Sequence, residues 1–541
     1  MLTKEQLETI AEVDSPEWNR SRGTNIGEKQ PSVFRVGSKI LILKRLPFTS
    51  PRGHEIAYFP ALAKTRELSA SESQWLDDMS GEEEFPESLQ SATIPDSGWQ
   101  FPSIPENPRL DNVRTRTLVL NPTEQCNIRC TYCYYGGAYN ETRTHRTLAP
   151  SDEALKLAIN GFITNEQRLI DEQRAIYFFG GEPILGFKKM QTVIRLVEER
   201  KKQLGLDLPN LIYQVNTNAL LINESIMSFL VKNDIYINVS IDGPNHDIYR
   251  LDRRGRGTHD RVRAKVDWME QNWPEFFAKR VAIIGVLSSP LNAAAMYRYF
   301  ASWETAHRAL AWDFDLVLPG GDASYTEFES VSNEQQKIWD LFVDSHRFKH
   351  SEREHSLRYH FSFSHGFLHR SFHQALHHQG STAPNQVETL LGVQLIPGSA
   401  LVLLGADEKY YNSYEHQSEA FITGTAQDGI DYNVGVNQIR EFSEGIESSS
   451  CKTCWASRMC TVALAEAPFT SSDVVEKTKE KASAKLARCR IERSTLTQAL
   501  VAVETIKQRY GSDRIEEHVS EWNRQKKEGP SRNAFYKASE S

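Results

Sequence analysis

From Thr115 to about Pro319, short runs rich in apolar and β-branched residues alternate with longer stretches whose apolar positions recur at helical spacing. The short runs are Thr117–Leu120, Ala175–Phe179, Leu211–Val215, Tyr236–Ser240, Val281–Val286 and Trp312–Val317. They predict strands, and the intervening stretches, Ser151–Asp171 and Leu185–Leu204 among them, predict amphipathic helices. Strands alternating with helices imply parallel βα units and an α/β fold. Six such units make an open, three-quarter version of a TIM-like (β/α) barrel, here spanning residues 115–320. In that architecture chemistry sits at the C-terminal ends of the strands, so the segments just after each run are where functional residues are expected.

Outside this region the rhythm changes. Residues 1–110 read as a small α+β unit: Lys39–Leu46 and Glu55–Phe59 predict strands, and Leu68-Ser-Ala-Ser offers N-cap residues for a short helix through Trp75 and Leu76. An acidic stretch, Glu82–Glu84, and a proline-punctuated linker, Pro95–Pro108, follow. The unit is an accessory packing domain or a module that docks a substrate peptide on a sheet edge. Residues 321–385 predict a helical connector dense in histidine, with His346, His350, His355, His360, His365, His369, His373, His377 and His378. The last of these recur every four residues, as on one polar helix face or in a metal-binding row. Residues 386–492 hold a second cysteine set, and 493–541 a C-terminal helix and tail. The tail after Asn523 is charged and aperiodic, which predicts disorder.

Composition narrows the classes. A chain of 541 residues, 39% hydrophobic and 25% charged, has room for several domains and an ordinary globular core. A formal net charge of −8 supplies no basic field for nucleic acid. No apolar run is long enough for a membrane span, and the N-terminus lacks a basic segment followed by an apolar one, so a cytoplasmic location is expected. There the seven cysteines are expected to hold metal or do chemistry rather than pair as disulfides.

Those cysteines fall into two sets. Cys126-Asn-Ile-Arg-Cys130-Thr-Tyr-Cys133 follows the first strand. Three thiolates so close on one loop can hold three irons of a four-iron cube and leave the fourth open. Zinc is the alternative, since thiolates suit it too; a structural zinc site needs four ligands, and the nearest fourth cysteine is more than three hundred residues away. Phe179 leads into Gly180-Gly181-Glu182-Pro183, where glycines free the backbone to approach a ligand and an acid can accept from an ammonium. The third strand ends in Asn216-Thr217-Asn218 and the fourth in Ser240-Ile-Asp242, small polar groups suited to a pocket mouth. The basic loop Arg250–Arg261 is either solvated or a carboxylate clamp, with Arg261 the best placed at the start of the next helix. The second set, Cys451-Lys-Thr-Cys454, Cys460 and Cys489, completes the seven.

The C-x3-C-x2-C run, with Tyr132 just before its last cysteine, resembles the cluster motif of the radical SAM superfamily, and GGEP after the second strand resembles that family's methionine-binding motif. The resemblance implies a 4Fe-4S cluster on Cys126, Cys130 and Cys133, whose open iron is chelated by the methionyl amine and carboxylate of S-adenosyl-L-methionine. Reductive cleavage then yields a 5'-deoxyadenosyl radical that abstracts hydrogen from a substrate. Gly180, Gly181, Glu182 and Pro183 would hold the methionyl amine. Ser240 and Asp242 fall where the family contacts ribose and carboxylate, with Asn216 and Asn218 as further candidates. The second set resembles a SPASM extension, with departures: Leu464 stands where a cysteine is expected, and Ser413 at an upstream ligand position. These departures imply that one auxiliary cluster is lost and that Cys451, Cys454, Cys460 and Cys489 saturate the other, for two 4Fe-4S clusters in all. A tetrahedral zinc site is the alternative for that set.

SPASM-bearing radical SAM proteins act on peptides or proteins and draw electrons from donors such as flavodoxin or ferredoxin. The resemblance therefore implies a maturase that crosslinks a ribosomally made precursor peptide. A sulfatase-type formylglycine maturase is the alternative within the class, and a non-catalytic iron–sulfur or zinc scaffold the alternative outside it. The GGEP and Ser240–Gly243 segments speak against the scaffold, which needs no cofactor pocket. Neither a catalytic acid or base, nor a partner nucleic acid or membrane, is marked in the sequence.

Overall fold

The computed structural model describes residues 33–36, 38–78, 84–101, 113–133, 135–136, 144–287, 293–316, 398–412, 419–447, 450–460 and 478–528, together with 110, 339–340, 342–344, 346 and 375. The N-terminal strands are β1 (Val33–Val36), β2 (Lys39–Ile42), β3 (Lys44–Thr49), β4 (Glu55–Phe59), β5 (Lys64–Glu67) and β6 (Thr93–Pro95). They form two antiparallel three-stranded sheets, β1-β2-β6 and β3-β4-β5, around the helix α1 (Ala70–Asp78). The run that read as one strand, Lys39–Leu46, is thus two, and each belongs to a different sheet. Helix α1 starts on a reciprocal cap: Glu72 N–H donates to Ser69 Oγ at 3.2 Å and Ser69 N–H to the Glu72 carboxylate at 2.8 Å.

Six strands follow at the expected runs: β7 (Thr117–Leu120), then, after the short β8 (Ile128–Cys130), β9 (Arg174–Phe178), β10 (Leu211–Thr217), β11 (Tyr236–Ser240), and, after β12 (Arg250–Asp252), β13 (Val281–Leu287) and β14 (Ala311–Leu316). They lie side by side in chain order and pair in parallel. The sheet does not stop at β7. Strand β15 (Leu401–Leu404) joins its free edge in parallel, and β16 (Lys409–Tyr411), β17 (Ile422–Thr425) and β18 (Gly429–Ile430) continue antiparallel, giving ten strands in a mainly parallel sheet. Every residue of β7 and β9 is buried. Helices α2 (Asp152–Phe162) and α3 (Phe187–Leu204) pack together beside the sheet.

The stretch Ser151–Asp171, expected as one helix, is broken after Phe162. The Arg174 guanidinium donates to Phe162 O at 2.5 Å and Arg200 Nε to Ile163 O at 3.1 Å, so side chains take the carbonyls that a longer helix would have used. At the C-terminus the helix α4 (Thr478–Tyr510) is followed by α5 (Asp513–Glu528), which runs on past Asn523 where disorder was expected. Arg524, Gln525, Lys526, Lys527 and Glu528 are good helix formers, and this local propensity outweighs the lack of apolar periodicity. Of the histidine-dense stretch, His346 is buried against His518, with their ring nitrogens 3.4 Å apart. His350 to His378, Ser413 and Leu464 lie outside the described residues. No described helix is long and apolar enough to cross a membrane.

One hydrophobic core runs through most of the chain. It includes Ile40, Ile56 and Tyr58 of the N-terminal strands, the sheet, Trp455 and Met459 beside the second cysteine set, and Leu496 to Ile506 of α4.

Candidate functional site

The first cysteine loop leaves β7 at Leu120 and is pinned to the segment after β9. Gly181 N–H donates to Thr123 O at 3.1 Å and Glu182 N–H to Gln125 O at 2.7 Å. The glycine pair, read from sequence as freeing the backbone for a ligand, has a different neighbour. A Cβ on Gly180 would strike the Asn121 side chain, one on Gly181 the Gln125 carbonyl, and Gly180 has a φ of +149°. The glycines let the GGEP turn lie against the cysteine loop, just ahead of Cys126.

On that loop Cys126 is buried, and Cys130 and Cys133 are half-buried; all are free thiols. Burial pushes the thiols up, Cys130 to about 12, partly opposed there by the Arg250 charge. A bound metal would reverse that preference, because a coordinating thiol is held deprotonated. Among the described residues no three His, Cys, Asp or Glu side chains close on one ion. Three soft thiolates on one short loop are a donor set suited to three corners of an iron–sulfur cube.

Glu182 stands at the start of the turn and is 1% exposed. Its carboxylate accepts from Thr217 Oγ1 at 2.7 Å, from Asn218 N–H at 2.8 Å and from Ile184 N–H at 3.1 Å. None of these donors is a cation. Burial outweighs the three bonds, and the carboxyl is raised to about 7. A buried acid tied to the cysteine loop, with hydrogen bonds but no counter-charge, is a fit for a ligand ammonium, which would restore its ionised form. Asn218 also donates to Asn127 Oδ1 at 2.8 Å and lies 4.0 Å from Cys126 Sγ, tying the end of β10 to the cysteine loop. Asn216 accepts from Ser240 Oγ at 3.4 Å across the ends of β10 and β11.

Asp242 is engaged by donors of the protein itself. It is 2% exposed, and its carboxylate accepts from Arg250 Nε at 2.8 Å, Arg250 Nη2 at 3.0 Å, Val286 N–H at 2.9 Å and the Tyr132 hydroxyl. Burial alone would raise this carboxyl; the Arg250 charge outweighs it and holds it below the ordinary carboxylate range. Tyr132 is therefore an anchor of the loop to Asp242. Arg261 is not brought to this group. Its side chain is 55% exposed and pairs with Asp252 at 3.5 Å. Arg250 occupies the buried position instead, because β12 pairs antiparallel with β8 and sets Arg250 opposite Cys130. The sequence marked the basic loop but not which arginine turns inward; the signal missed was the strand-like Ile128–Cys130 that captures it. Thr217 and Asn127 were missed as well, since neither type stands out in a turn.

In the second set, Cys451 sits on a short 3-10 turn, Ser450–Thr453, and Cys454 directly follows it, with Cys454 N–H donating to Cys451 O at 3.2 Å and Ser457 Oγ to the same oxygen at 2.5 Å. Cys454 is pushed up by burial, with the Arg493 charge of α4 pulling the other way. Cys489 stands one turn before Arg493 on α4; its side chain is outside the described residues.

With this arrangement in view, comparison with known proteins is specific. Residues 120–287, from the end of β7 to β13, match the radical SAM superfamily. An uncharacterized protein of Methanocaldococcus jannaschii is 31% identical over 205 residues, 37% of this chain and 63% of that protein. The cysteine-type anaerobic sulfatase-maturating enzyme of Clostridium perfringens strain 13 is 28% identical over 187 residues, 34% of this chain and 48% of the enzyme. The chain thus spans roughly half to three-fifths of the length of these relatives. Among solved structures, histidine-tagged anSMEcpe with bound AdoMet aligns with a TM-score of 0.51 at 17% identity, covering 75% of this chain and 99% of that one, a likeness of fold. Residues 120–287 thus carry a likeness to the radical SAM superfamily. The superfamily's cofactors are a 4Fe-4S cluster and S-adenosylmethionine.

Proposed function

We propose that this chain is a radical SAM peptide maturase that forms a crosslink in a ribosomally made precursor peptide. The observation that carries the cofactor reading is Glu182, a buried carboxylate without a cation, seated by Gly180 and Gly181 directly beside the three-cysteine loop. When bound, the cluster and S-adenosylmethionine supply the one-electron chemistry that generates a hydrogen-abstracting radical. In this reading Cys126, Cys130 and Cys133 hold the cluster, Glu182 with the Thr217 and Asn218 donors orients the methionyl ammonium, and Asn216 and Ser240 line the ribose side. Arg261, exposed and paired with Asp252, is the candidate clamp for a carboxylate. The mainly parallel sheet is then an open barrel over residues 115–320, preceded by an accessory or peptide-recognition unit, 1–110. It is followed by a connector, 321–385, an auxiliary-cluster segment, 386–492, and the C-terminal helices, 493–541. Cys451, Cys454, Cys460 and Cys489 hold a second 4Fe-4S cluster that relays electrons from a flavodoxin- or ferredoxin-type donor in the cytoplasm.

Sulfatase maturation is a second reading, favoured by the names of the sequence relatives. Incubating the reduced enzyme with a sulfatase peptide bearing the target Cys or Ser, and probing the product with an aldehyde-reactive hydrazide, separates the two. Peptide maturation predicts no aldehyde there, and loss of two hydrogens without aldehyde on a precursor peptide. A hydrazide-reactive product on the sulfatase peptide would replace the crosslinking reading with formylglycine formation.

A further inference from the structure

Arg250 and Asp242 form a buried ion pair that cofactor binding, as described above, leaves without a task. Arg250 is 7% exposed and Asp242 2%. Isolated burial of such charges is costly, and a pair of this kind is poor evidence for stability alone. The strand register sets Arg250 opposite Cys130, and its guanidinium lies over the Tyr132 ring with 5.5 Å to the centroid, between the second and third cysteines in sequence. Asp242 accepts from Arg250 twice, from Val286 N–H and from Tyr132, so four donors fill the roughly four acceptor positions a carboxylate offers.

We propose that Arg250 is a positioning residue for the first cluster, a fixed positive charge held against the Cys130 side of the loop that favours the reduced state, and that Asp242 acts as its anchor and not as a cofactor contact. The proposal rests on the reading that Cys126, Cys130 and Cys133 hold a 4Fe-4S cluster. Reduction adds one electron, and hence one negative charge, to that cluster. A neighbouring cation stabilises the added charge by the same electrostatics that lower a nearby acid's pKa, about one to three decades for a charge within ~4–6 Å. Removing the cation and removing the anion should therefore act in opposite directions.

The experiment is an anaerobic redox titration of the reconstituted full chain with dithionite as the one-electron donor, followed by electron paramagnetic resonance. The first cluster is recognised as the signal that changes when S-adenosylmethionine is added. Arg250→Gln is expected to lower the ratio of reduced to oxidised cluster at a fixed potential about tenfold. Asp242→Asn is expected to raise it, and Arg250→Lys to stay near the parent protein. Shifts of Arg250→Gln and Asp242→Asn in the same direction, or an unshifted Arg250→Gln that keeps its iron, would overturn the proposal. If Arg250→Gln loses the iron, the other two variants decide: a raised Asp242→Asn beside an unshifted Arg250→Lys sustains it, and an unshifted or lowered Asp242→Asn overturns it. Parent protein that assembles no cluster on the first set would overturn the cluster reading itself, a result distinct from an unshifted titration.

Discussion

Glu182 concentrates the argument at the residue scale. Its three hydrogen bonds orient the carboxylate but leave its charge unopposed, and burial raises it to about 7. A charge-assisted hydrogen bond to an ammonium contributes about 1.5–3 kcal/mol. Glu182→Gln should therefore weaken S-adenosylmethionine binding by roughly ten- to hundredfold while iron content holds, as read by anaerobic equilibrium binding. Unchanged affinity would remove Glu182 from the cofactor site. Gly181 gives a complementary prediction. A methyl group there meets the Gln125 carbonyl, so Gly181→Ala should displace the loop before Cys126 and lower the iron bound by the first set. Full iron occupancy would show that the loop has slack the packing does not suggest.

At the scale of elements, the cap of α1 gives a pH-dependent prediction. Burial opposes ionisation of Glu72, but bonds from Arg66, Ser69 N–H and Ser88 outweigh it and lower the carboxyl from 4.5 to about 2. Because the folded value lies below the unfolded one, the stabilisation is complete above about 4.5 and is lost as pH falls towards 2. Thermal unfolding of Glu72→Gln beside the parent should show a gap at neutral pH that closes on acidification; a gap constant down to pH 2 would assign the effect to packing. The positions of the six parallel strands were legible because each is a short run of apolar and β-branched residues set off by turn-forming segments. The extension by β15 to β18 was not, since Leu401–Leu404 gives no hint that its partner is β7, far away in sequence. The motif residues were legible as types at strand ends. Their partners were not: whether Arg250 or Arg261 turns inward depends on the three-residue pairing of β12 with β8, too short to carry a periodicity.

For the whole molecule, the N-terminal unit and the second cysteine set are one packed body. Trp99 Nε1 donates to Cys454 O at 3.0 Å and Trp99 N–H to Lys452 O at 2.8 Å, while Arg458 donates to Pro60 O at 2.8 Å. Tyr58 meets Trp455 edge-on at 6.4 Å. Trp99→Ala should cost about 3–5 kcal/mol and reduce metal retention by Cys451 and Cys454. Removal of residues 1–110 should likewise disturb that loop rather than leave the rest intact. Calorimetry and metal analysis check both; a truncated chain that melts and binds metal like the parent would show that the unit is an independent appendage.

The claim on which all of this rests is that the three-cysteine loop and the GGEP turn form a radical-generating site. It is tested most directly by supplying the anaerobically reconstituted, dithionite-reduced protein with S-adenosylmethionine and measuring 5'-deoxyadenosine by chromatography. It is expected to form with the parent protein and to be abolished when Cys126, Cys130 and Cys133 are all replaced by Ala. Equal turnover by the parent and the triple variant would contradict the claim.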